Sequence, residues 1–123
     1  MNNKRVSDIK RSQKEALFLR TISNLFLQAT LDDSLLRGFC INRVMLSPDK
    51  GHCYVFFTTL GGLEEFNEKL NRLKLYKPSL RAALAKEING RYTPEITFKF
   101  DAAQEKTNRV EELLEDLKRK GDL

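Results

Sequence analysis

Few residues in this 123-residue chain are of types that do covalent chemistry. His52 is the only histidine and sits at a strand start beside a turn. A catalytic imidazole needs an orienting partner, so His52 reads as a surface or edge residue. Cys40 and Cys53 have no metal-ligand spacing, and on facing strands each reads as a small buried hydrophobe. Two cysteines without a framework suit a reducing compartment. Asp49, Glu95 and Asp101 fall at strand ends, where carboxylates could gather a divalent ion; turn and cap duty accounts for them equally well. Gly61-Gly62 lacks the Lys-Ser/Thr that would hold a nucleotide, and there is no Walker A loop, GxGxxG, CxxC or HExxH. No cofactor, no metal site and no catalysis are expected.

Charge is the stronger signal. The formal net charge is +5 with a pI near 9.3, and it is unevenly spread. Residues 1–20 carry six Lys/Arg against two Asp/Glu, and residues 68–92 seven against two. The remaining stretches are mildly acidic. Clustered Lys and Arg are what a phosphate backbone selects, because each neutralised phosphate releases counterions. Lys10 and Lys14 stand in the first cluster. Lys77, Arg81, Lys86 and Arg91 stand in the second. Apolar residues make up 41%, enough for a single globular domain. No apolar run reaches the roughly 18 residues of a membrane span, and the polar, basic start from Met1 to Lys14 is no secretory signal.

The elements that must hold these residues follow from periodicity. Ser12 to Thr30 predicts a helix, with Phe18, Ile22, Leu25 and Ala29 as its stripe and Leu17 and Leu27 widening it. Asp32-Asp33-Ser34 breaks it. Phe39 to Leu46 and His52 to Thr59 predict strands joined by Ser47-Pro48-Asp49-Lys50-Gly51, a hairpin turn. Ile41 and Val44 are out of alternation, so a bulge is expected near Asn42-Arg43. Leu63 to Leu75 predicts a helix that stops at Tyr76-Lys77-Pro78, and Ser79 to Ile88 restarts it, with Asn89-Gly90 as its cap. Glu95 to Phe100 alternates as a third strand. Glu105 to Lys118 predicts a last helix on a Val110, Leu113, Leu114, Leu117 stripe.

Four spacings stand out along this order. They are Ile41-x-x-Val44-x-Leu46-Ser47-x-Asp49, Cys53-x-Val55-x-Phe57, Leu80-Arg81-x-x-Leu84-x-Lys86, and Arg91-x-x-Pro94-Glu95-Ile96-x-Phe98-x-x-Asp101. Together they resemble the ribosome-binding factor A family, in order from about Leu17 to Leu117. The resemblance implies a KH-like α+β domain of type II order, α-β-β-α-kink-α-β with a C-terminal helix and a small mixed three-stranded sheet. It implies binding to the small (30S) ribosomal subunit and its 16S rRNA, late maturation of rRNA ends, and importance in the cold. Three departures accompany it. Tyr76-Lys77-Pro78 stands where the family has an Ala-x-Gly kink. Asp32-Asp33-Ser34 replaces Asp-Pro-Arg. The chain ends soon after the last helix. KH domains that clamp single strands use a GxxG loop; this chain has none, as in the family.

The expectation is therefore a monomeric, cytoplasmic RNA-binding ribosome-maturation factor with no membrane and no small-molecule substrate. Residues 1–11 form a basic extension, 12–118 the domain and 119–123 a short tail. Lys10, Lys14, Lys77, Arg81, Lys86 and Arg91 are the expected RNA contacts, favouring backbone and shape over sequence. Two other classes remain open: a metal-dependent phosphoesterase using Asp49, Glu95 and Asp101, and a protein–protein adaptor using the acidic C-terminal helix.

Overall fold

The computed structural model describes residues 3–88 and 93–121. The elements are α1 (Asn3–Asp32), β1 (Phe39–Leu46), β2 (His52–Thr59), α2 (Gly62–Lys74), α3 (Lys77–Glu87), β3 (Glu95–Phe100) and α4 (Ala102–Arg119), with a 3-10 turn at Ser34–Leu36. The sheet order is β1-β2-β3. β1 and β2 are antiparallel, and the register slips between Ile41 and Arg43, the bulge expected there. β3 runs parallel to β2, and the connection between them, residues 60–94, carries α2 and α3. This is the KH-like order, an α+β fold with a small mixed sheet.

The core forms where apolar stripes meet one face of the sheet. Phe18, Ile22, Phe26 and Ala29 of α1, Phe66 and Leu73 of α2, and Leu80 and Leu84 of α3 are buried against Val44, Val55, Phe57, Ile96 and Phe98. Phe57 is fully buried. Its ring meets Phe26, Phe39 and Phe98 edge-on, with centroids at 5.4, 5.7 and 5.6 Å. Edge-to-face pairs contribute beyond the area they bury.

Several boundaries differ from the periodicity. α1 begins at Asn3 rather than Ser12. Periodicity reports where a helix is covered, and Val6 and Ile9 are half exposed; the polar first turns hold through good helix formers and an Asp8–Arg11 pair at 3.3 Å. Leu27 of the widened stripe is exposed. α3 begins at Lys77, not Ser79, with Pro78 in its first turn, where the missing N–H deprives the helix of nothing. The Asn89-Gly90 cap lies outside the described residues. α4 begins at Ala102, because the Asp101 carboxylate accepts from the Gln104 N–H at 3.1 Å and caps the helix. The α4 stripe is periodic but uncovered: Val110, Leu113, Leu114 and Leu117 are 39–63% exposed. Cys53 is buried as expected, whereas Cys40 is exposed.

Candidate nucleic-acid interface

α1 and α3 lie side by side, and the Thr21 hydroxyl donates to Glu87 at 3.1 Å. That bond sets the last turn of α3 against the middle of α1. Lys14 and Lys10 lie seven and eleven residues before Thr21; at 100° per residue both fall within about 20° of its direction, on the flank that faces α3. Lys86, next to Glu87, is exposed, and so is Lys10. Lys14 is half-buried and, with Phe18, Leu46, Lys50, Ile88 and Pro94, lines a cleft of about 320 Å³. An apolar stem against the body and a charged head in water is how a lysine offers charge without losing packing. Among the described residues none of these three lysines enters an ion pair.

The other expected contacts are more engaged. Lys77 holds its ammonium 5.5 Å from the Phe98 ring centroid. One turn on, Arg81 donates from Nε to the Pro94 carbonyl and from Nη2 to the Thr93 carbonyl, both at 3.3 Å. It also approaches Glu95 at 3.5 Å. Lys77 and Arg81 thus face β3, on the opposite flank of α3 from α1, and Arg81 fixes the entry to β3. Arg91 lies outside the described residues. Of the other basic residues of the second cluster, Lys69 is matched with Glu65 at 2.8 Å and Arg72 with Asp33 at 2.5 Å, while Lys74, at the end of α2, enters no ion pair among the described residues.

Lys50 was not singled out from the sequence. It occupies the tip of the β1–β2 turn with φ of 61° and lines the same cleft as Lys14. A lysine inside an S-P-D-K-G turn reads as turn chemistry, so only the approach of the turn to α1 reveals it. Hydrogen bonds hold the turn in shape. Asp49 accepts from the Ser47 hydroxyl at 2.6 Å and from the Gly51 N–H at 2.9 Å, and these bonds, the hydroxyl's first, hold its carboxyl below the usual range.

The break between α2 and α3 is held from the end of α1. Asp33 is buried and accepts from Arg72 Nε, from the Tyr76 hydroxyl at 3.4 Å, and from the Leu35 N–H at 3.2 Å. The Arg72 hydrogen bond is the main cause of its lowered pKa, and burial raises that of Tyr76. The Asp33 that stands in the departure from Asp-Pro-Arg therefore anchors the residues that replace the kink.

The three strand-end carboxylates do not converge. Glu95 and Asp101 flank opposite ends of β3, roughly 20 Å apart at 3.3 Å per residue. Asp101 is committed to Arg43 at 3.0 Å, and Asp49 to its own turn. Among the described residues no group of three His, Cys, Asp or Glu could hold a metal ion. The Gly61 N–H is bound by the Glu65 carboxylate at 2.7 Å, which occupies the donor a phosphate would need. No described helix is long and apolar enough to cross a membrane.

These features define a KH-like α+β protein without a GxxG loop, its helical layer carrying lysines that enter no ion pair among the described residues. A family model described as Ribosome-binding factor A matches residues 10–114. The chain belongs to the ribosome-binding factor A family. Ribosome-binding factor A of Prochlorococcus marinus (strain AS9601) is 34% identical over 112 residues, 89% of this chain and 86% of the relative. That of Geobacter metallireducens is 30% identical over 108 residues, 88% and 92% of the two chains. The crystal structure of ribosome-binding factor A from Thermus thermophilus superposes with a TM-score of 0.58 at 27% identity, covering 72% of this chain and 92% of that one.

Proposed function

We propose that this protein is a non-catalytic maturation factor that binds the small ribosomal subunit through its rRNA in the cytoplasm. The observation that carries the reading is a set of lysines that enter no ion pair among the described residues, Lys10 and Lys14 on the flank of α1 that faces α3 and Lys86 on the exposed side of the last turn of α3, in a chain of this family. Folded RNA is recognised mostly through phosphates, 2′-hydroxyls and shape, and helix-borne lysines with free ammonium groups suit that task. Lys77 and Arg81 would extend the contact along the β3 flank, Arg81 chiefly by holding the 93–94 segment in place. Assistance at rRNA ends follows from occupancy of the subunit and needs no chemical step.

The test is co-sedimentation with purified small subunits at low and near-physiological salt, with large subunits as the control. Retention on small subunits alone at physiological salt supports the reading. Equal retention on both, lost with salt, would leave only a basic surface.

A further inference from the structure

The helices pack on one face of the sheet, and most of the other face is open. Its rows follow from the register. Phe56 on the central strand stands between Arg43 and Lys99, and Tyr54 between Met45 and Thr97. α4 crosses only the far end, beside Cys40, Asn42 and Thr58. Both rings are half-buried, while Arg43, Met45 and Lys99 are exposed. The Arg43 guanidinium lies 4.2 Å from the Phe56 centroid, and the Lys99 ammonium 5.2 Å from that of Tyr54. His52 is stacked beside Tyr54 with centroids 6.0 Å apart. Asp101 fixes the Arg43 plane with two contacts, at 3.0 and 3.4 Å.

We propose that this sheet face is a second RNA site, for an unpaired segment whose bases stack on Phe56, Tyr54 and the Arg43 plane. The inference rests on the rRNA-binding reading and adds a different kind of contact to it. A central strand carrying two rings, with a cation on each side of one of them, offers stacking surface and phosphate neutralisation together, the two components of single-strand recognition. Charge selects the occupant. The acids near the face are Asp101, buried and spent on Arg43, Glu95 at the margin, drawn to Arg81, and, where α4 crosses the far end, Glu112 and Glu105, the latter paired with Arg109; none of them stands beside Phe56 or Tyr54 in the register. Lys99 has no acidic partner among the described residues. Arg43 is held flat before any ligand arrives, so stacking on its outer side orders nothing new.

The experiment is fluorescence anisotropy with two labelled probes, a single-stranded uridine octanucleotide and an RNA hairpin, on the full chain. Phe56→Leu and Tyr54→Leu should each weaken octanucleotide binding about 5- to 160-fold while hairpin affinity changes little. Tyr54→Phe keeps the ring and should restore binding. It should also abolish the quenching of tyrosine emission that the octanucleotide causes in the parent, which has no Trp. Lys99→Glu, at an exposed position, gives the same loss without a change in melting should either Leu variant fold poorly. The double variant Lys10→Gln/Lys14→Gln should do the reverse and weaken the hairpin first. Unchanged octanucleotide affinity in the folded ring variants overturns the proposal, as does equal loss on both probes. So does polyglutamate binding as well as the octanucleotide. A parent that binds the hairpin but not the octanucleotide removes this site and leaves the rRNA reading standing; a parent that binds neither removes both.

Discussion

Replacing Lys10, Lys14 and Lys86 together by glutamine removes three charges while keeping side-chain length and helix propensity. Two of the positions are open and the third is half-buried at the rim of a cleft, where glutamine keeps most of the side chain, so melting should move by little; surface changes of this kind fall within about 0.5 kcal/mol. Binding should respond in a characteristic way. Each phosphate neutralised contributes about 0.9 to the slope of log affinity against log salt, by the duplex value. Three lost contacts flatten that slope by about 2.7. Between about 50 and 200 mM salt, roughly a fourfold range, the parent should therefore lose about 40-fold more affinity than the triple variant. The assay is a salt titration of binding to purified small subunits, parent and variant side by side. Parallel slopes would refute the reasoning, since they would show that the unpaired lysines meet no phosphate. A flattened slope with a large fall in melting temperature would also count against it, because the lysines would then be structural.

Three further outcomes are expected. Phe57→Ala removes a fully buried ring with three edge-on partners and should cost about 3–5 kcal/mol, a fall of about 12–20 °C in melting temperature by calorimetry; a fall of a few degrees would mean the core collapses around the gap. Asp33 has a depressed pKa in the folded state, so its contribution to stability is present above its unfolded value, near 3.9, and is lost as pH falls through the folded value. Asp33→Asn should accordingly melt below the parent at neutral pH and converge with it in acid below about pH 4, and a constant gap would deny the linkage. Burial pushes the Cys53 thiol up to about 12 while Cys40 is exposed, so a thiol reagent should label one cysteine in the native protein and the second only on unfolding; rapid double labelling would place Cys53 outside the core.

The strands and their bulge were legible because alternation, turn residues and the offset of Ile41 and Val44 are local properties. The first turns of α1 were not, since Val6 and Ile9 are only half covered and periodicity measures coverage. The α4 stripe shows the converse. Val110, Leu113, Leu114 and Leu117 announce an amphipathic helix, but a stripe says nothing about whether the fold supplies a partner. Charge behaved in the same way. The sequence places Lys77, Arg81 and Lys86 in one segment, yet only coordinates separate an Arg81 spent on the carbonyls of Thr93 and Pro94 from a Lys86 left free. From sequence Phe56 reads simply as a strand former, and Tyr54, like Tyr76 and Tyr92, as half-buried packing that could at most offer a stacking ring; the flanking of Tyr54 and Phe56 by Arg43 and Lys99 depends on a register that crosses a bulge and a crossover.

The parallel pairing of β2 with β3 has a kinetic consequence. The hairpin of β1 and β2 closes over a five-residue turn, but β3 can join only after residues 60–94 have been wound into α2 and α3 and folded back, so its pairing carries the largest loop-closure cost in the sheet. Asp101 comes into reach of Arg43 only when that strand is home, and the same carboxylate caps α4. The last helix is thus tethered to the final step of assembly: its direction is set when the sheet is finished, and a loosened β3 would let it swing before anything in the hairpin gave way.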